Sequence, residues 1–361
     1  MCGGIGSRFW PYSRENYPKQ FIGFFGTGRS FLQMCYDRIL PLVRKENIIV
    51  VTNAAYAPLV SEQLPDLQPS QILSEPARRN TAPCIAWAAH HIHALDPDAS
   101  MIVTPSDHLI TRENVFTSCI ERGFDFVEGH DALLTLGINP TRPETGYGYI
   151  QVGKECNVTC PVGCEEGSGD IYQVKTFTEK PNLELAKTFL DSGEFFWNSG
   201  IFLWKASAIL EAIAQYMPDL ELVLGRGKDA FGTPDEDRFI KQEFAGCPSI
   251  SIDYGVMEKA DNVYVECVNF GWNDLGTWSA LYDNSPKNRQ RNVTQNCKVV
   301  AYNSEGNIFA VKGDKLIVTS GLQNYIVADS GDVLLICPLS EEQDIKRMVN
   351  DVKAGFGNQY L

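Results

Sequence analysis

Short apolar, strand-like runs alternate with longer amphipathic stretches through roughly the first 280 residues, and this alternation is the strongest constraint on how the chain can fold. A strand buried on both faces needs helices between it and the next strand. The pattern therefore reads as an α/β domain, doubly wound around a mostly parallel sheet. Candidate strands are Ile48–Thr52, Met101–Thr104, Ala132–Gly137 and Gly200–Trp204. Candidate helices are Thr81–Leu95, Val115–Glu128 and Leu183–Asp191, the first with Asn80 as its N-cap and Pro83 in its first turn.

After about Asn284 the texture changes. Short β-rich pieces (Cys297–Tyr302, Ile308–Val311, Lys315–Val318, Tyr325–Ala328, Val333–Ile336) recur about every eight to ten residues, separated by Gly-, Asn- and Asp-containing turns. That spacing predicts an all-β appendage. Ser340–Val352 reads as a closing helix capped by Ser340. The polar stretch Asp283–Arg291 is the expected boundary, which divides the chain into domains at 1–283 and 284–361.

Charge and composition narrow the ligands. With 31 basic against 45 acidic side chains the net charge is −14, and no Lys/Arg run exceeds two residues, so nucleic acid is disfavoured. A small phosphorylated ligand is compatible, because one Arg, one Lys and a cation reverse the field locally. The longest apolar runs, such as Ile48–Val51 and Val333–Cys337, are too short to span a bilayer, and no signal-like segment opens the chain. A cytoplasmic protein with no membrane partner is expected. The eleven cysteines, mostly in apolar stretches, read as reduced thiols. Cys156, Cys160 and Cys164 lack a fourth ligand at a usual spacing and read as a plain loop. His90, His91 and His93 read as a polar face of the Thr81–Leu95 helix.

The chemistry concentrates in separate segments. Met1–Ile22, MCGGIGSRFWPYSRENYPKQFI, opens with Gly3, Gly4 and Gly6, whose backbone can approach phosphate oxygens closely. Arg8 adds a forked donor and Lys19 a compact charge. The segment is neither a P-loop nor a complete G-x-G-x-x-G, which argues against a dinucleotide-dependent oxidoreductase. Phosphate loops normally follow a strand, so an apolar strand upstream of Met1 is an expectation. Glu75–Pro83 feeds a helix N-terminus, a good place to read a base edge or bind an anion. Ser106 and Asp107 follow the strand-like Met101–Thr104, where a carboxylate faces the ligand crevice of such sheets. Asp274 sits in the aromatic-flanked turn Gly271–Trp278.

Together these segments resemble the nucleotide-sugar pyrophosphorylases, whose signature runs loosely G-G-x-G-[ST]-R-[LF]-x-P…P-K. The Trp10-Pro11 and Pro18-Lys19-Gln20-Phe21 details, with E-P-x-x-[RK]-N-T-A-P at Glu75–Pro83, are most similar to their mannose-1-phosphate guanylyltransferase branch. The resemblance implies that Gly3, Gly4, Gly6, Arg8 and Lys19 grip a nucleoside triphosphate. It places Glu75, Asn80, Thr81, Ala82 and Ser106 around the nucleotide, makes Asp107 and Asp274 ligands of Mg²⁺, and assigns catalysis to Arg8, Lys19, Asp107 and Asp274. Tyr147, Gly148, Glu179, Lys180, Asn198, Gly200 and Asp253 match the sugar-phosphate side. The implied partners are GTP and mannose 1-phosphate, with a homodimer in prospect, and the implied appendage is a short left-handed β-helix. Another base or sugar, or a non-catalytic regulatory relative, stays open; the second would be expected to lose the Lys or the metal ligands.

Overall fold

The computed structural model describes residues 1–4, 6–155 and 169–361. Cys156, Cys160 and Cys164 lie outside the described residues. Ten strands belong to the first region: β1 (Val50–Asn53), β2 (Ile72–Glu75), β3 (Ser100–Val103), β4 (Leu109–Ile110), β5 (Leu133–Ile138), β6 (Gly148–Glu155), β7 (Ile171–Glu179), β8 (Phe195–Lys205), β9 (Val263–Val268) and β10 (Trp272–Asn273). Six more follow: β11 (Val293–Gln295), β12 (Lys298–Tyr302), β13 (Ile308–Val311), β14 (Leu316–Ser320), β15 (Tyr325–Asp329) and β16 (Leu334–Pro338).

The central sheet has the order β3-β8-β5-β9-β7-β6. β5 and β9 are parallel, β8 runs against both β3 and β5, and β7 runs against β9 and β6. Taken as directions, β3, β5, β9 and β6 point one way and β7 and β8 the other. β1 and β2 form a parallel pair alongside. Met1 and Cys2 link that pair to the main sheet. Cys2 bridges Thr52 in parallel, while the Met1 amino group donates to the Thr104 carbonyl and the Ser106 N–H to the Met1 carbonyl, the alternation of a parallel ladder. The Gly-rich segment thus leaves from a position between two parallel strands, where a phosphate loop is well placed. An apolar cavity of about 480 Å³ lies between β1 and β3, lined by Met1, Cys35, Val51, Cys84 and Met101 among others.

Helices cover both faces. Thr81–Leu95 forms as expected; Asn80, at φ 68°, accepts from the Thr81 N–H, one residue earlier than a usual cap. It buries Ile85 and Trp87 against Trp204 and Ile209, and each large apolar side chain so buried contributes about 2 kcal/mol or more. The polar reading of its histidines is corrected. His90 and His91 are buried: His90 stacks on Phe231 at 4.9 Å, and the charged helix Glu236–Glu243 supplies Glu236, which accepts from His91 Nδ1 and Trp87 Nε1.

The β-rich region is two ladders, a four-stranded β11-β13-β15-β16 and a parallel β12-β14 pair, with β11, β13 and β15 parallel. The closing helix starts as a 3-10 turn, Leu339–Asp344, before the α-helix Ile345–Phe356. Ser340 does not cap it, since the turn begins after Pro338 with no side-chain cap; Glu342 instead accepts from the Ser279 N–H near the start of the helix Trp278–Asn284. A shared core of Phe9, Trp10, Tyr12, Phe24, Leu275 and Trp278 with Ile308, Ile326 and Ile345 welds this region to the opening segment. Among the described residues no helix is long and apolar enough to cross a membrane.

Candidate active site

The opening segment folds into two 3-10 turns, Ser7–Phe9 and Lys19–Phe21. Gly6 sits between the sheet and the first turn at φ 66°, and a Cβ there would come within 2.6 Å of Lys19 Cβ, so only glycine fits. At Gly3 and Gly4 an added Cβ would meet nothing within 4 Å, which leaves open space in front of the backbone. Phe9 packs at 5.2 Å on both Phe24 and Trp278 and anchors the turn. Arg8 keeps a buried Nε with no hydrogen-bond partner among the described residues.

Lys19 is the centre of this end. Its side chain is only 4% exposed, and Nζ donates to Asp107 Oδ2 at 3.0 Å and to the Asp274 carbonyl at 2.6 Å. Two segments remote in sequence therefore meet on one ammonium. The cause is local: β4 and β10 pair antiparallel, with Trp272 opposite Ile110 and Asn273 opposite Leu109. Asp107, just before β4, and Asp274, just after β10, are brought to the same end. Burial works to raise the Asp107 carboxyl, but the Lys19 ammonium and His108 outweigh it and hold the group below its ordinary value. Burial pushes His108 below its own ordinary value. Asp274 Oδ1 accepts from the Tyr147 hydroxyl at 2.5 Å and the Gly276 N–H at 3.1 Å.

The sugar-side residues gather on β6, β7 and β8. Gly148 pairs with Glu179, and a Cβ at Gly148 would collide with the Glu179 carboxylate. Lys180, held at φ 48°, pairs with Glu179 and donates its backbone N–H to the Tyr147 carbonyl at 3.2 Å. Asn198 donates from Nδ2 to Asp253 Oδ1 at 2.8 Å, while its Oδ1 accepts from the Gly200 N–H at 3.1 Å. Gly200, at φ 71°, makes the turn that lets this side chain fold back. Burial, with the Glu179 charge behind it, pushes the Asp253 carboxyl up to about 6.

On the third side, Glu75 ends β2 buried, with Oε1 unpartnered among the described residues, and burial pushes it up to about 7. Thr81 and Ala82 are engaged elsewhere: the Thr81 hydroxyl accepts from the Ile252 N–H at 2.9 Å, and the Ala82 N–H goes to the Ile250 carbonyl at 3.1 Å. They fasten the segment to the stretch 250–252. Ser106 is buried, its N–H on the Met1 carbonyl.

Among the described residues no three His, Cys, Asp or Glu side chains cluster as a complete metal shell. The donor set nonetheless fits Mg²⁺, which takes one or two carboxylates and completes its shell with phosphate oxygens and water. In the hydrogen bonds above, Lys19 uses Oδ2 of Asp107 and Tyr147 uses Oδ1 of Asp274, so each carboxylate has its other oxygen to offer.

A glycine-rich turn, a buried lysine and two aspartates brought to one end by the β4–β10 pairing make an arrangement able to take phosphates, and residues 1–291 match the family described as nucleotidyl transferase. The chain belongs to the nucleotidyl transferase family. Over its whole length this nucleotidyltransferase is 39% identical to a mannose-1-phosphate guanylyltransferase of Salmonella muenchen and 38% identical to one of Escherichia coli, spanning 74% of each relative. Its fold matches a Thermus thermophilus structure described as a mannose-1-phosphate geranyltransferase, with a TM-score of 0.84 at 28% identity over 98% of both chains.

The nucleotidyltransferase site also gives one motif residue an unexpected partner and contains Trp197, Arg142, His108 and Trp272, to which the motifs gave no role. Tyr147, matched to the sugar side, spends its hydroxyl on Asp274. Trp197 packs on Tyr147 at 5.2 Å, and the Arg142 guanidinium lies over the Trp197 ring at 5.3 Å. His108 follows Asp107 directly and Trp272 stands two residues before Asp274, and that proximity in sequence was the available signal.

Proposed function

We propose that this nucleotidyltransferase transfers GMP from GTP to mannose 1-phosphate in the cytoplasm, releasing GDP-mannose and pyrophosphate. The observation that carries the reading is Lys19 bound at once to Asp107 and to the Asp274 backbone beneath the glycine-rich turn. The named guanylyltransferase relatives supply the base and the sugar.

An oxygen of the mannose 1-phosphate forms a bond to the α-phosphorus as the bond from that phosphorus to the β-phosphate bridging oxygen breaks, and pyrophosphate leaves with the electron pair. The attacking oxygen is already ionised, so no general base is needed; positioning and charge neutralisation carry the reaction. Mg²⁺, held by Asp107 and Asp274, would offset charge between the two phosphates. Arg8 and Lys19 neutralise the α-phosphate and the leaving group. Lys180 holds the incoming phosphate, with Glu179, Asn198 and Asp253 oriented to sugar hydroxyls. Gly3, Gly4 and Gly6 bring backbone N–H groups to the triphosphate, and Glu75 and Asn80 face the base.

The same reading divides the chain at 1–283 and 284–361 and makes the second domain a short left-handed β-helix. The parallel registers of Val293 with Ile308 and Ile308 with Ile326 support successive coils. Exposed Tyr302, Leu316, Val318 and Ile336 on that domain support a homodimer, to be checked by sedimentation.

Pyrophosphate release in Mg²⁺, with GTP, UTP, dTTP and ATP each tested against mannose 1-phosphate and glucose 1-phosphate, tests the reaction. Release with GTP and mannose 1-phosphate alone is expected. Release with a different pair overturns the specificity, and no release from folded, nucleotide-binding protein overturns catalysis in favour of a regulatory relative.

A further inference from the structure

The two aspartates that meet on Lys19, Asp107 through its carboxylate and Asp274 through its backbone carbonyl, are also joined through rings. Trp272 Nε1 donates to His108 Nδ1 at 3.1 Å, the two rings edge-on at 5.3 Å and 90°. Indole nitrogen only donates, so His108 Nδ1 must be the bare, accepting nitrogen and the ring proton sits on Nε2. Nε2 stands 3.9 Å from Asp107 Oδ1. The same indole packs edge-on against Tyr147 at 5.3 Å and 72°, and the Tyr147 hydroxyl donates to Asp274 Oδ1 at 2.5 Å. One side chain thus touches the residue that faces each aspartate.

We propose that Trp272 is a positioning residue for both carboxylates, setting the His108 tautomer that faces Asp107 and wedging the Tyr147 hydroxyl onto Asp274. The proposal rests on the metal role assigned above to those two aspartates. The physical need comes from Lys19. A carboxylate turns easily about its last torsion, and a buried ammonium beside Asp107 favours a rotation that gives it both oxygens. The His108 Nε2–H, 3.9 Å from Oδ1, opposes that rotation by drawing Oδ1 away from the ammonium, and so leaves Oδ1 off Lys19. Tyr147 likewise holds the carboxylate of Asp274, which otherwise is held only by the turn at Gly276. Such outer partners commonly change metal affinity by about 10- to 100-fold.

Two measurements on the metal-free, full-length protein test this. The first is the ¹⁵N spectrum of the His108 ring, assigned with His108→Asn. Protonated Nε2 and bare Nδ1 are expected in the unmodified protein, and a mixture of tautomers in Trp272→Phe, which keeps a ring but loses the N–H. An Nδ1-protonated ring in the unmodified protein overturns the proposal with no variant needed. The second is Mn²⁺ affinity by electron paramagnetic resonance, with Mn²⁺ as the probe. About tenfold weaker binding is expected in Trp272→Phe and in Tyr147→Phe, which removes only a hydroxyl. If Asp107→Asn binds Mn²⁺ as the unmodified protein does, the metal reading falls and the proposal with it. If Asp107→Asn loses Mn²⁺ while Trp272→Phe keeps both its tautomer and its affinity, the proposal alone is overturned.

Discussion

The two ends of the cleft hold their lysines in opposite ways. Lys19 at the phosphate end is 4% exposed and bound to groups brought in from beside β4 and β10, whereas Lys180 at the sugar end is 60% exposed and paired with its own neighbour, Glu179. The carboxylates differ likewise. Asp107 is held below its ordinary value by Lys19, while Asp253 is pushed up to about 6 by burial and by Glu179. A charge fixed before the ligand arrives costs no reorganisation during reaction, which suits the α-phosphorus where charge develops. A charge on an exposed stem can follow an incoming substrate, which suits recognition. On the proposed reading, one end serves the transition state and the other serves binding.

The largest effect should come from Lys19→Met, which keeps the stem and removes the charge. Turnover, followed as pyrophosphate release, should fall about 10²- to 10³-fold. Because the loss leaves Asp107 without its buried partner, the melting temperature should fall too, by the equivalent of about 3 kcal/mol. A variant with full turnover would erase the distinction between the ends.

Gly6→Ala probes the same rigidity through the backbone. It must adopt a left-handed φ and displace Lys19 from 2.6 Å. A cost of about 2 kcal/mol in stability is expected. A shift of Lys19 by about an ångström would lower kcat/KM up to about 10²-fold. The Gly3→Ala variant, whose Cβ meets nothing, should fold as stably as the original in the same melt.

The carboxylates should give pH dependences of opposite sign. Asp253, with its folded value raised to about 6 from 3.8, binds its proton more tightly in the folded than in the unfolded chain. Its contribution is therefore most favourable below about pH 4, and stability declines as pH rises toward 6. Asp253→Asn should flatten that decline in chemical denaturation and gain about 1–2 kcal/mol over the original at about pH 8, screening included. Asp107, with a lowered folded value, contributes above its unfolded value, and that contribution is lost as pH falls through the folded one. A denaturation series that shows no difference between about pH 4 and about pH 8 in Asp253→Asn against the original would remove the contrast.

How much of this was legible beforehand follows the same division. Alternating apolar runs located β1, β3, β5, the later part of β8 and the Thr81–Leu95 helix because burial is written in local periodicity. Lys19, Asp107 and Asp274 could be named from short motifs, since each sits beside turn residues of recognisable type. Their convergence on one ammonium could not, because it depends on the β4–β10 pairing, two residues a side and without a periodic signal of its own. The same holds for Tyr147, whose placement on Asp274 joins the start of β6 to the turn after β10. Buried His90 and His91 escaped the sequence reading because Glu236, the partner of His91, comes from a remote helix. Ser340 failed as a cap because Pro338 starts a 3-10 turn first.

Lys180→Met is the mildest and most discriminating test of the comparison. Lys180 is 60% exposed but its partner Glu179 only 5%, so the half-buried pair contributes about 1 kcal/mol and the melting temperature should fall less than that of Lys19→Met. Its ammonium is raised in affinity for its proton, burial opposing and Glu179 favouring, so it is fully charged at neutral pH and able to meet a phosphate dianion. Losing that charge-assisted contact should raise the KM for mannose 1-phosphate about tenfold. The KM for GTP and the kcat at saturating sugar phosphate should stay close to the original, because an interaction equal in ground and transition states changes KM alone. A fall in kcat with KM unchanged would instead place Lys180 with Lys19, at the reacting phosphorus, and the two ends would differ in exposure but not in role.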